Sequence, residues 1–132
     1  MTKFIWEILE EINKDTSKAS NYRSFGALKI VLENNFNPSL KWLLPETTPP
    51  FRSSVEPSGM SPSNLHMEAK KFYIFRRADL KAPKREVLFI EMLERVGKEE
   101  ANILLAIKNQ TLTSLYPNIT KEVAKTIVPS IT

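Results

Sequence analysis

Between residues 70 and 85 the chain carries Lys70, Lys71, Arg76, Arg77, Lys81, Lys84 and Arg85 against Asp79 alone. A run of cations this dense is the footprint of contact with a polyanion, and equally the pattern of a solvated helix face. A second candidate lies near the end of the sequence. Thr120 has the residue type and position of an N-cap, Lys121 falls in the first turn, Lys125 one turn later, and Pro129 stops the helix. A helix start combines free N–H donors with the positive end of the helix dipole, so it can hold a phosphate without reading sequence. Lys108, at the end of the preceding helical run, would add a third ammonium. The plainer alternative is a well-capped surface helix that binds nothing.

Residues for catalysis are scarce. The chain has no cysteine, one histidine (His66) and two aspartates (Asp15 and Asp79) in unrelated contexts. No His pair, thiolate set or Ser/His/Asp combination can be assembled from these. No Gly-rich phosphate loop and no Lys-x-Asp-Gly stretch occur, and Glu99 and Glu100 read as a helix-start pair complementing the dipole. The expectation is a protein without catalytic residues, metal or cofactor, binding without chemistry.

The 132 residues carry a net charge of +4 with a pI near 9.4, enough to favour polyanions. That length suits a single domain spanning residues 1–132. Only three glycines (Gly26, Gly59 and Gly97), helical periodicity and little β-branched alternation predict an all-α bundle of about six helices. No apolar run approaches a membrane span, and the opening Met1 to Trp6 runs into Glu7 and Glu10 where a signal peptide would have an apolar core. A cytoplasmic location without membrane contact is expected.

The elements that would position the cations follow from the spacing of apolar residues. Phe4, Ile5, Ile8, Leu9 and Ile12 predict a first helix, followed by a polar break from Asp15 to Asn21. A second helix from Tyr22 to Asn35 buries Phe25, Leu28, Val31 and Leu32, and a short turn spans Leu40 to Leu44. Pro45, Pro49, Pro50, Pro57 and Pro62 interrupt any helix between 45 and 62, which reads as a strap over the core, or alternatively a peptide ligand. Ser61-Pro62 would cap a third helix running to Ala78 and apolar on two sides, with Arg76 needing a carboxylate or backbone partner. A fourth helix opens at Ala82-Pro83 and closes at Gly97 as a left-handed C′ residue; a fifth begins at Lys98 and pairs with it. The sixth covers Thr120 to Val128. Ile8, Leu28, Phe72, Phe89, Leu93 and Leu104 are the expected core.

Two family resemblances attach to particular residues. The helix Ala101 to Lys108, the polar turn after it, Thr120-Lys121 and Pro129-Ser130-Ile131 resemble the end of the N-terminal DNA-binding domain of bacteriophage ATP-dependent DNA ligases. Ile8 to Ile12, Leu28 to Leu32 and Phe36 to Pro45 resemble that domain's opening. Nearly the whole chain, especially Lys41 to Glu46 and Arg85 to Leu93, resembles an uncharacterised tailed-bacteriophage protein family. The ligase likeness is the more distant and is confined to the two ends. Unlike the ligase pattern, the turn before the last helix has no glycine and the stretch between the first two helices is short. The resemblance implies a non-catalytic protein that binds double-stranded DNA independently of sequence, in an infected cell. Thr120, Lys108, Lys121 and Lys125 would hold one stretch of phosphates and Lys70, Arg77, Lys84 and Arg85 a second. The alternative is a module that docks on phage replication machinery or inhibits a host protein, with Trp6, Trp42 and Phe51 as anchors.

Overall fold

In a computed structural model the described residues are 3–52 and 60–131, and they form an all-α fold. Six α-helices occur among them: α1 (Ile5–Lys14), α2 (Gly26–Phe36), α3 (Leu65–Glu68), α4 (Ala82–Arg95), α5 (Lys98–Lys108) and α6 (Lys121–Ile127). Four 3-10 segments join them, at Thr16–Tyr22, Pro38–Leu40, Ala69–Arg76 and Leu112–Ser114. The Pro-rich loop lies between α2 and α3, and of its prolines Pro57 falls outside the described residues.

α1 buries Ile5, Ile8, Leu9 and Ile12 on one stripe, and the Glu7 carboxylate accepts the Phe4 N–H at 2.9 Å at its start. The polar break after it is ordered as a 3-10 helix. Asp15 accepts the Ser17 N–H at 3.1 Å and its hydroxyl at 2.6 Å, and these bonds hold its carboxyl below the usual carboxylate range. The segment buries Ala19 and Tyr22, and Tyr22 meets Phe25 edge-on at 5.3 Å. Packing of that ring explains why α2 starts at Gly26, four residues later than periodicity alone suggests.

The expected third helix from Ser61 to Ala78 is corrected in both start and winding. Asn64, not Ser61, is the N-cap, accepting the Met67 N–H at 3.2 Å. One α-turn then passes into the 3-10 segment Ala69–Arg76. At three residues per turn, Ala69, Phe72 and Phe75 stack as one buried stripe, whereas an α-helix would rotate Phe75 away. The element therefore has one apolar face, and Met67 and Tyr73 are exposed at 58% and 54%. Buried Glu68 ties its start to α4 through Arg95 at 2.8 Å and accepts the hydroxyl of the preceding Ser63 at 2.8 Å. Burial alone would raise the pKa of Glu68, but these bonds outweigh it and hold the carboxyl below its ordinary value.

Gly97 is not a left-handed cap. Its φ of −67° and ψ of 165° make it the N-cap of α5. The left-handed residue is Gln110, φ 55°, at the other end of that helix. There Gln110 N donates to Ile107 O at 2.9 Å and Thr111 N to Ala106 O at 2.8 Å, a Schellman pairing that closes α5 without glycine. The Gln110 side chain steadies the turn by donating to Asn34 O at 3.0 Å and Asn37 O at 2.8 Å.

Ile8, Leu28, Phe72, Phe89, Leu93 and Leu104 are all buried, in one cluster shared by all six α-helices. At its centre Trp42 packs on Phe75 at 4.8 Å, Phe72 at 4.9 Å and Phe89 at 5.9 Å. Asn34 is the polar hub beside it. Its Oδ1 accepts from Trp42 Nε1 at 2.9 Å and Arg76 Nη1 at 2.6 Å, while its Nδ2 donates to Ile30 O at 2.8 Å. Arg76 thus finds an amide oxygen where a carboxylate or backbone carbonyl was expected.

Candidate nucleic-acid interface

Residues 77–80, the start of α4 and Leu43 are drawn into one edge by Arg85. Its Nε donates to Leu43 O at 3.0 Å, and its Nη1 donates to Arg77 O at 3.1 Å and to Leu80 O. A guanidinium fork suits this task because it aims several donors at fixed angles, here at three carbonyls from two chain segments. Leu43 N also donates to Phe75 O at 2.8 Å, so residues 41–43 lie along the end of the 3-10 segment and the start of α4. This adds Lys41, distant in sequence, to the cations of 77–85.

The cations along this edge are not equivalent. Arg77 pairs with Asp79 through bonds of 3.1 and 2.6 Å, which lower the Asp79 pKa and raise that of Arg77. Both are largely exposed, so the pair is screened and holds the turn only weakly. Lys71 reaches Glu68 at 3.4 Å. Lys41, Lys70, Lys81 and Lys84 are exposed and have no carboxylate partner among the described residues. Winding at three residues per turn places Lys70 in register with exposed Tyr73.

Lys108 is withdrawn from the surface and cannot join a phosphate grip. It is 2% exposed, and its ammonium donates to Pro45 O at 2.7 Å, Glu46 O at 2.9 Å and Asn109 Oδ1 at 3.0 Å. Three donors meet three acceptors. Burial, then the charge of Lys41, lowers its pKa, and Glu46 opposes them. Its role is to fasten the start of the Pro-rich strap. Beyond it Arg52 N donates to Glu94 at 2.7 Å, and a cleft of about 190 Å3 remains between Pro45 to Pro50 and α4. Residues 45–52 therefore lie across α4 and α5 as a strap.

Thr120 caps α6, its hydroxyl accepting the Val123 N–H at 3.3 Å. Lys125 is exposed and Lys121 half-buried. α6 packs on α2 and on the 3-10 segment Thr16–Tyr22, where Arg23 Nε donates to Thr126 O at 2.8 Å. Lys18 and Arg23 thus join Lys121 and Lys125 in a second basic area, built on other elements than the 70–85 edge. The turn before α6 is fixed to the end of α1, with Asn118 N and Nδ2 donating to Asn13 Oδ1 and O at 2.9 and 2.8 Å.

Of the aromatic anchors, Trp42 is 2% exposed and belongs to the core, while Trp6 and Phe51 are half-buried against it. His66 Nε2 lies 2.7 Å from Lys3 O. Among the described residues no three His, Cys, Asp or Glu gather to hold a metal, and no helix is long and apolar enough to cross a membrane. Sequence reasoning missed Lys41, Lys18 and Arg23, whose approach depends on tertiary bonds with no local pattern. No curated protein and no solved structure matches the chain. A family model does match over residues 8–114, which contain the whole 41–43 and 70–85 edge but not α6, and the chain belongs to that family, the family of unknown function DUF6433.

Proposed function

We propose that this chain is a non-catalytic bacteriophage protein that binds the backbone of duplex DNA without sequence preference in the cytoplasm of an infected cell. The observation that carries the reading is the edge gathered by Arg85. Lys41, Lys81 and Lys84 lie there with no carboxylate partner among the described residues, Arg77 and Arg85 add to the positive field, and Lys70 extends it along the 3-10 segment. Ammonium groups on flexible stems suit phosphates, which repeat along any duplex, and displaced counterions supply the affinity. Lys121 and Lys125 offer a second stretch of contact. The likeness to ligase DNA-binding domains supports duplex over other polyanions, and the likeness to tailed-phage proteins supports the source. Docking of a protein through aromatic anchors is the weaker reading, because Trp42 is committed to the core. Salt-titrated binding of labelled duplex by the parent and by a Lys70→Glu/Lys84→Glu variant tests the proposal, and parental affinity in a folded variant rejects it.

A further inference from the structure

Among the described residues two buried side-chain atoms lack a hydrogen-bond partner, Ser61 Oγ and Glu100 Oε2. Both residues line the same small cavity, of about 40 Å3, between the starts of α1, α3 and α5. Glu100 is 2% exposed, and its other oxygen accepts the Leu65 N–H at 3.0 Å. The Ile5 N–H, at the start of α1, also lies against this carboxylate and favours its charged form. Phe4, Trp6, Ser63, Asn64, Gly97 and Glu99 complete the lining, and among the described residues no lysine, arginine or histidine is part of it.

An unpaired carboxylate oxygen and a hydroxyl facing one small space call for a donor, and the charge calls for a positive one. The size admits a group of two or three heavy atoms, since a water occupies about 10–15 Å3 on this measure. Among the described residues no three His, Cys, Asp or Glu gather there to hold a metal ion. Aromatic walls instead favour an organic cation. From this convergence we infer that the cavity is a binding site for a primary ammonium head group, held by Glu100 Oε2 and Ser61 Oγ between Trp6 and Phe4. A free small amine and the tip of a lysine side chain offer the same chemistry.

The site requires ionised Glu100. Burial, reinforced by the neighbouring charge of Glu99, raises its pKa to about 7, against the pull of the Leu65 and Ile5 N–H groups. The other titratable groups nearby are Glu7, which accepts the Phe4 N–H, Lys3, which pairs with Glu11, exposed Lys98, Tyr116 and Glu10, and the Glu68–Arg95 pair behind Ser63. Among the described residues none places a cation in the cavity lining, so affinity climbs as pH rises through 7.

The test is titration of the protein with methylammonium and, in parallel, with Nα-acetyl-lysine N-methylamide, following the amide signals of Ile5 and Leu65 and the Trp6 indole by NMR. Saturable shifts with methylammonium, stronger at pH 8 than at pH 6 and absent with sodium chloride or tetramethylammonium, are expected. A response to methylammonium alone indicates a free amine as the source, and a response to both admits a lysine tip. Glu100→Gln keeps an acceptor for Leu65 N–H and should weaken binding about tenfold or more. Gly97→Ala is the second variant. Its new Cβ would lie 3.5 Å from Ser61 Oγ and 3.7 Å from Glu99 Oε1, narrowing the cavity at a backbone conformation alanine adopts freely. It should weaken methylammonium binding while leaving the fold intact. Shifts no larger than those from sodium chloride, or parental affinity in both variants, would overturn the inference and leave a cavity filled by water.

Discussion

Replacing Glu100 with glutamine should make this protein more stable at neutral and alkaline pH, although the residue is buried and hydrogen-bonded. Its carboxyl has a pKa raised from 4.5 to about 7, so the folded state keeps a proton that the unfolded chain releases. The sign follows from counting protons. Between pH 4.5 and 7 the native state binds more of them than the unfolded state, so stability falls as pH rises through that window. A separation of about 2.5 pKa units at 1.36 kcal/mol each is worth about 3 kcal/mol, present below pH 4.5 and lost above 7. Glutamine has no proton to lose and still accepts the Leu65 N–H. At pH 8 the variant should gain about 2 to 3 kcal/mol, or about 10 °C in Tm for a domain of this size. Near pH 4 parent and variant should coincide within about 1 kcal/mol. Thermal melts from pH 4 to 9 in amine-free buffers measure the difference. If the variant melts below the parent at pH 8, or the two curves run parallel across the range, Glu100 is not an unbalanced buried charge and the reasoning fails.

Leu93→Ala, at a fully buried position of α4, should cost about 2 to 5 kcal/mol in denaturant unfolding, and a loss under about 1 kcal/mol would mean that the site collapses freely. Asn34→Ala removes the acceptor shared by the Trp42 indole and Arg76 and should cost about 2 to 4 kcal/mol by leaving both donors short of a partner, with Trp42 emission changed in the folded state. Wild-type stability and emission would show that the hub is dispensable.

Helical periodicity placed the core well, because Ile8, Leu28, Phe89, Leu93 and Leu104 each face inward on ordinary α-helical stripes. It failed where the winding changes. The spacing of Ala69, Phe72 and Phe75 was visible in the sequence, but an α-helical wheel puts these residues on two faces and only three residues per turn unites them. Gly97 attracted the cap assignment through its residue type, whereas side-chain bonds from Gln110 to Asn34 and Asn37 stabilise the left-handed turn at the other end of α5. For the interface, the charge run at 70–85 could be read directly. The burial of Lys108 and the approach of Lys41 could not, since they depend on bonds to carbonyls that span 42 to 63 residues of sequence.

The most direct test of the DNA reading is fluorescence anisotropy of a labelled duplex titrated with protein from about 50 to 200 mM salt, for the parent and for Lys70→Glu/Lys84→Glu. Both side chains are exposed and have no carboxylate partner among the described residues, so folding stability should change by no more than about 0.5 kcal/mol. For the parent, log K should fall linearly with log salt, equally for unrelated sequences. For the variant the slope should be shallower by about 2, one contact for each lysine. A parent that does not bind duplex at 50 mM salt, or a folded variant with the parent's affinity and slope, would contradict the account.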